Sequence, residues 1–138
     1  MTEIPNRNFI YLNWRPSKNT QHTYHKDHRC SVSVDTSVGP YKNSFADFVM
    51  EKNSIYYWEV QIVVGSYFKI GVIKEESIET LGKKAFSDIA TGYSWFSTGK
   101  LRQGSNVTGT DFGSGFGPGD VVKVEFSSKE GTLRFAKN

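Results

Sequence analysis

The sequence predicts an all-β fold, an antiparallel β-sandwich of two sheets with little helix, and a β-barrel is the alternative. Three observations lead to this prediction. About eight short runs show the two-residue apolar period of half-buried strands. Turns rich in the 13 glycines separate these runs, and aromatic residues, which favour sheets, make up 14% of the chain. Helical periodicity is nearly absent, so no helical layer is expected.

The front of the chain, up to residue 50, is predicted to hold three strands joined by loops. Residues 1–8 are polar and form a loose leader, and a single domain is expected over residues 9–138. The predicted strands, which are rich in apolar side chains, are residues 9–14, 31–35 and 45–50. Polar residues and turn formers between them predict a surface loop at 15–29 and a turn at 36–43.

Residues 56–76 are predicted to be an antiparallel hairpin at the centre of a sheet. Two alternating runs flank a break at Gly65 and Ser66, where a tight turn is expected. Apolar residues on the same face of the two runs are predicted to point into the core, and these are Trp58, Val60, Ile62, Val64, Phe68, Ile70 and Val72.

After the hairpin, residues 75–88 show three- and four-residue apolar spacing and predict one helical turn. Residues 89–96 and 100–104 form strands joined by a turn at 97–99. A glycine-rich connection is then expected over residues 108–120. The chain is predicted to end in two strands. In the first, Val122, Val124 and Phe126 face one way, and a turn at 129–131 links it to the last strand, which holds Leu133 and Phe135.

Composition excludes several classes of protein. The net charge is +3, but the Lys and Arg residues are scattered, so a nucleic-acid partner is not expected. No apolar stretch approaches the roughly 20 residues of a membrane span, so no membrane contact is expected. Cys30 is the single cysteine, which excludes an internal disulfide, and residues 1–9 do not resemble a signal peptide. These features favour a cytoplasmic protein.

Five short motifs occur in an order that is typical of one family. They are YWEV at residues 57–60, KIGV at 69–72, Gly92–Tyr93, GPGDVVKVEF at 117–126 and GTLRFAKN at 131–138. The chain therefore resembles the SPRY domain family over residues 55–138, and residues 9–50 fit that family's more variable front strands. Two positions depart from the pattern, since Lys123 stands where a small residue is usual and Ser127 where an Asp is common.

The resemblance also predicts an unusual sheet edge. SPRY domains usually continue beyond the motif that ends here at Asn138, with another glycine and one or two further strands. We therefore expect either that a missing strand is supplied elsewhere or that the last strand has an exposed edge. An exposed edge would favour strand exchange or a dimer.

The resemblance implies a bent sandwich of the concanavalin or jelly-roll type that binds a partner protein or short peptide through loops at one end. It implies no catalysis and no cofactor. Similar domains select the targets of tripartite-motif ubiquitin ligases or belong to adaptors and channel proteins. The candidate partner-binding residues are Tyr24, Tyr41, Lys42, Trp95, Lys100, Arg102 and Gln103. For Trp95 the alternative is a side chain packed against its own sheet.

A metal site is the alternative interpretation of one short segment. All three histidines and the only cysteine fall close together, as His22, His25, His28 and Cys30. Zinc takes nitrogen and sulfur ligands in a tetrahedron, and these side chains supply both. Lys26 and Arg29 place positive charge within the cluster, however, so a solvated loop that faces a partner is favoured.

Other functions are weaker predictions. A carbohydrate-binding lectin is the main alternative function, because similar sandwiches bind sugars with exposed aromatic and polar side chains. The aromatic residues here alternate inward, which disfavours single-stranded nucleic acid. The glycines at 113, 115, 117 and 119 precede Pro118 and a strand rather than a helix, so they do not form a phosphate-binding loop. No nucleophile lies in a recognisable catalytic arrangement, which indicates that the protein is not an enzyme.

Overall fold

The computed structural model describes residues 13–15, 23–26, 31–34, 42–82, 84–104 and 106–138. Nine strands lie in this part of the chain, and every strand pair is antiparallel. The strands are β1 (Thr23–Lys26), β2 (Ser31–Val34), β3 (Ile55–Gln61), β4 (Lys69–Ile73), β5 (Gly92–Phe96), β6 (Lys100–Gln103), β7 (Asn106–Asp111), β8 (Val121–Ser127) and β9 (Thr132–Lys137). The only helices among these residues are two 3-10 turns, Glu75–Ser77 and Phe86–Asp88. The predicted all-β class is confirmed.

The chain divides into two compact units, Met1–Val49 and Met50–Asn138. In the first unit, β1 and β2 form a two-stranded sheet in which Thr23 lies opposite Val34. The prediction of a loop over 15–29 is therefore wrong where β1 lies, because the polar sequence of β1 carries no apolar period. The predicted strand at 31–35 is confirmed as β2. The single domain predicted over 9–138 stays a prediction.

A single antiparallel bridge joins two further segments of the first unit. Trp14 lies opposite Ala46, with Arg15 N donating to Phe45 O over 2.6 Å and Asp47 N donating to Asn13 O over 2.7 Å. The strand predicted over 45–50 is thus reduced to one bridge. Most of the strand predicted over 9–14 lies outside the described residues.

Two sheets make up the second unit. One has the order β3-β8-β9, and the other is a meander with the order β4-β5-β6-β7. Side chains from both sheets meet in one core, so the unit is the predicted sandwich. The buried residues of this core are Ile62, Trp95, Phe116, Val122 and Val124, and Trp58, Val60, Phe68, Ile70, Leu101, Leu133 and Phe135 pack against them.

The central strand of the first sheet illustrates why the alternating pattern folds this way. Val122 and Val124 are 0% and 1% exposed, and Lys123 between them is exposed. Each fully buried valine contributes roughly 1.5–3 kcal/mol relative to an exposed one. β8 is therefore fixed in register by its inward valines, with β3 on one side and β9 on the other.

The hairpin predicted over 56–76 is wrong, although both of its strands exist. β3 pairs with β8 along its whole length, with Trp58 opposite Val124, whereas β4 pairs with β5. The chain crosses from one sheet to the other between Ile62 and Phe68, and Val64, a predicted core residue, is 77% exposed. Two strands that face one core from opposite sheets show the same inward alternation as two paired strands, so periodicity alone does not distinguish the two arrangements.

The segment between β4 and β5 lies against the four-stranded sheet. The sequence predicts one helical turn over residues 75–88, and the structure has two 3-10 turns, one at each end of that range. The approach is close, because a Cβ added to Gly92 would lie 1.8 Å from the carbonyl oxygen of Phe86. Ser94 Oγ donates to Ser87 Oγ over 2.8 Å, so the two buried hydroxyls satisfy each other.

The glycine-rich connection predicted over 108–120 is shorter than expected, because β7 occupies its first part. β7 pairs with β6, with Lys100 opposite Asp111, and the register shifts between Leu101 and Gln103. Gly109, at φ +83°, lies where this irregularity occurs, and a Cβ there would lie 2.8 Å from Lys100 Cβ. No helix in the described part of the chain is long and apolar enough to cross a membrane.

Candidate functional site

The strand alternation of β6 divides the predicted partner-binding residues between two faces of the four-stranded sheet. Lys100 and Arg102 lie on the face that also carries Phe96, and Gln103 lies on the opposite face. Gln103 Nε2 donates to the hydroxyl of Tyr93 over 3.2 Å. The predicted set therefore does not form one surface.

Trp95 lies in the core, on the side of the sheet away from Lys100 and Arg102. Its side chain is 3% exposed, and its ring centroid is 4.8 Å from that of Phe116 and 5.4 Å from that of Phe112. Packing against its own sheet, the alternative considered for this residue, is what the structure shows. The expectation of a Trp95 anchor for a partner is corrected accordingly, because a partner cannot reach a buried ring.

The remaining predicted residues belong to the first unit. Tyr24 lies in β1, where its backbone is opposite Ser33, and Lys42 is half-buried outside any strand. Tyr41 lies outside the described residues. Of the metal-binding alternative, His22, His28 and Cys30 lie outside them, and His25 lies in β1. Within the ranges that are described, no group of three or more His, Cys, Asp or Glu residues could hold a metal ion.

A charged cluster covers the outer face of the four-stranded sheet around Arg102. Asp88 Oδ1 accepts hydrogen bonds from Arg102 Nη2 over 3.1 Å and from Lys69 Nζ over 3.4 Å. The ring of Phe96 lies under both cations, 5.2 Å from Lys69 Nζ and 5.8 Å from Arg102 Cζ. Cation–π attraction adds to the ion pairs here, because both cations are largely removed from water.

Burial and neighbouring charges both act on Lys69 within this cluster. The side chain of Lys69 is 4% exposed, and burial lowers its pKa, an effect that Asp88 opposes and the charge of Arg102 reinforces. Arg102 Nε is buried without a hydrogen-bond partner among the described residues. One carboxylate thus serves two cations.

The loop between β3 and β4 carries the three most exposed large apolar side chains among the described residues of the second unit. Val63 is 75% exposed, Val64 77% and Tyr67 67%. Adjacent exposed apolar residues are uncommon in soluble domains outside binding sites, because their burial is favourable. This loop, residues 63–67, is the candidate site.

Both ends of the loop are fixed to the sandwich. On one side Ile62, 3% exposed, donates its N–H to Asp120 O and accepts from Gly119 N, each over 2.9 Å. On the other side Phe68 N donates to Ser97 Oγ over 3.0 Å, and Ser97 N donates to Phe68 O over 2.8 Å. The exposed residues are therefore held on a rigid base, which reduces the entropy lost when a partner binds.

Tyr67 connects the loop to the charged cluster. Its ring centroid lies 6.4 Å from that of Phe96, at an interplanar angle of 41°. Lys100, which pairs with Asp111, lies opposite Phe96 in the sheet. We define the loop surface as Val63, Val64, Tyr67, Phe96, Lys100 and Arg102, a set that combines exposed apolar side chains with cations.

A second concave region lies between the two sheets. A cavity of about 300 Å³ is lined by Leu101, Phe112, Leu133, Arg134 and Phe135. An adjoining cavity of about 290 Å³ shares Leu101, Leu133 and Phe135 with the first and extends towards Tyr93, Gln103, Asn106 and Thr110. We refer to the two together as the edge cleft, because β9 forms one of its walls.

Sequence reasoning misses the three exposed residues of the loop surface. The alternation that begins in β3 continues beyond Gln61, and it places Val64 in the core. The same alternation places Val63 on the outward face of a predicted strand, where a lone valine indicates no function. The available signal is the pair of valines directly before Gly65 and Ser66, since apolar residues next to a turn are exposed when the strand ends earlier.

Comparisons with known proteins give one match. The family model for the SPRY domain matches residues 55–138. The range begins at the first residue of β3 and includes both sheets of the sandwich. Neither the curated proteins nor the solved structures gave a match.

Proposed function

Since the chain belongs to the SPRY domain family, whose members are generally protein–protein interaction modules, we propose that it binds a partner protein through the loop surface. The bound element is a linear segment with apolar side chains. The interaction selects a target for a larger assembly, such as a ubiquitin ligase or another adaptor complex, and the proposal assigns no reaction to the chain.

One observation carries this proposal. Val63, Val64 and Tyr67 are exposed on a loop whose two ends are hydrogen-bonded to the sandwich. Tyrosine is enriched among the residues that dominate binding energy, and apolar neighbours exclude water around it. Lys100, whose side chain is 40% exposed, adds a cation at the rim, where charges influence specificity and association rate more than affinity.

The test is capture of binding partners with the full chain and its variants. Val63→Ser combined with Val64→Ser removes apolar surface at exposed positions and should leave the fold intact. The matched control is Ile55→Ser, which changes another exposed apolar side chain, 47% exposed, at the opposite end of β3.

We expect the unmodified chain and the Ile55→Ser variant to retain the same proteins by quantitative mass spectrometry, and the double-serine variant to lose them. Equal retention by all three would overturn the assignment of the loop surface. Binding to a glycan array instead of to proteins would favour the lectin alternative.

A further inference from the structure

Both ends of the exposed loop over residues 63–67 are connected to one other segment, the loop between β7 and β8. We call this segment, residues 112–120, the glycine-rich loop. At one end the connection is direct, because Ile62 exchanges two main-chain hydrogen bonds with it. At the other end the connection runs through Ser97, in the turn between β5 and β6. The exposed loop is therefore positioned by residues that are distant in sequence.

Ser97 uses its hydroxyl, its N–H and its carbonyl group in this connection. Its Oγ accepts a hydrogen bond from Phe68 N over 3.0 Å, and its N–H donates to Phe68 O over 2.8 Å. Its carbonyl oxygen accepts from Phe116 N, in the glycine-rich loop, over 3.1 Å. Only the first of these bonds involves a side chain, so a substitution at Ser97 can remove it and leave the two main-chain bonds in place.

The glycine-rich loop is itself held against the turn and the core. A Cβ added to Gly115 would lie 2.0 Å from Ser97 O, so the two backbones approach to a distance that only glycine allows. The next residue, Phe116, is 7% exposed, and its ring centroid lies 4.8 Å from that of Trp95. A buried ring and close backbone packing make this segment a rigid support for Ser97.

The backbone beside Phe68 would move if it were released. Tyr67 directly precedes Phe68, and its φ of +62° lies in the left-handed region, which is unfavourable for a residue with a Cβ. Rotation of Tyr67 to a negative φ would turn the N–H of Phe68 away from Ser97 Oγ. The hydrogen bond to the hydroxyl therefore opposes that rotation and keeps the Tyr67 ring, which is 67% exposed, in one position.

We propose that Ser97 is a positioning residue of the loop surface, because its hydroxyl holds Phe68 and thereby fixes the conformation of Tyr67. This role rests on the function proposed for the loop surface, and Ser97 acts on the partner only through the loop. The partner then meets a preformed site, which reduces the entropy lost on binding. Loss of the hydroxyl gives the loop further conformations, so the same partner binds more weakly.

The probe for this role is a short peptide selected from a random library displayed on phage. It is kept only if it binds the full chain and fails to bind the Val63→Ser, Val64→Ser variant, because it then reports on the loop surface. Fluorescence anisotropy of the labelled peptide measures its affinity. We expect Ser97→Ala to weaken binding about fivefold, the effect of one hydrogen bond. Ser97→Thr keeps a hydroxyl and should bind within about twofold of the unmodified chain.

Two variants control for effects other than positioning. Ser128→Ala removes a hydroxyl that accepts a hydrogen bond from Ser54 N over 3.0 Å, at the other end of β3. It loses the same kind of bond and should lower stability in urea denaturation to a similar extent, but it should leave peptide binding unchanged. Thr98→Ala removes an exposed hydroxyl from the same turn and should change neither stability nor binding.

Hydrogen exchange at individual amides, measured by NMR, tests the bond itself. In Ser97→Ala the N–H of Phe68 loses its acceptor, so we expect its exchange to become about tenfold faster. The N–H of Phe116 keeps its main-chain acceptor and should exchange at the rate of the unmodified chain. Faster exchange at both amides would show that the region unfolds as a whole, which would contradict a role confined to the bond with Phe68.

Unchanged peptide binding by Ser97→Ala would overturn the proposal, as would an equal loss of binding in Ser128→Ala or in Ser97→Thr. A selected peptide that is insensitive to Ser97 would leave the function proposed for the loop surface intact. If the library gives no peptide that distinguishes the double-serine variant, that function fails and the role of Ser97 fails with it. The two failures are therefore distinguishable.

Discussion

Tyr67 combines an exposed ring with a backbone conformation that residues with a Cβ rarely adopt. Two substitutions at this position separate the effects of the ring and of the backbone on stability. Its φ is +62°, in the left-handed region. For a residue with a Cβ this conformation costs roughly 1–2 kcal/mol. The contact of the ring with Phe96 offsets part of that free-energy cost. This contact contributes only about 0.5 kcal/mol, because the Tyr67 side chain is mostly exposed and the two ring centroids are 6.4 Å apart.

Two substitutions at this position therefore differ in direction. Tyr67→Ala loses the ring contact and keeps the backbone cost, so we expect the free energy of unfolding to fall by about 0.5 kcal/mol. Tyr67→Gly loses the ring and removes the backbone cost, but glycine adds about 0.4–1 kcal/mol of freedom to the unfolded chain. The glycine variant should therefore be more stable than the alanine variant by about 0.5–1 kcal/mol.

Urea denaturation of the full chain and its two variants measures these differences, and a thermal scan should separate the variants by a few degrees. Both variants should lose the partner captured through the loop surface. A glycine variant less stable than the alanine variant would refute the backbone argument, and retention of the partner by both would show that the ring is not used for binding.

Two further predictions concern carboxylates. Asp88→Ala leaves two largely buried cations without their shared acceptor and should lower the free energy of unfolding by about 2 kcal/mol. Asp111→Ala removes an 87% exposed carboxylate and should change the free energy of unfolding by less than about 0.5 kcal/mol. Equal losses of stability in urea denaturation would contradict this prediction. Hydrogen bonds from Asn138 and from a backbone N–H lower the pKa of Asp120, so its contribution to stability is complete above the ordinary carboxyl pKa and is lost as the pH falls through the lowered value. Asp120→Asn should flatten the acid side of the stability profile, and an unchanged slope between about pH 5 and pH 2 would argue against this role.

The positions of the strands in the second unit, except β7, were predictable because alternation is a local property of the sequence. The partners of those strands were not, since the pairing of Trp58 with Val124 depends on residues distant in the chain. The same limit applies to the site. Lys100 and Arg102 share a face because they lie two residues apart in one strand, which is a local relation. The burial of Trp95 depends instead on which face of its sheet is covered, and that is decided by the opposite sheet.

The pairing of β3 with β8 also has a consequence for the order in which the second unit folds. β4 to β7 form a meander in which each strand pairs with its neighbour in sequence, so these hairpins can close on the microsecond timescale and as soon as they leave the ribosome. β3 is made before them, yet its partner is made after them. During synthesis Trp58 and Val60 therefore lack the valines that lie opposite them in β8, and for that interval β3 is exposed to aggregation and to chaperones.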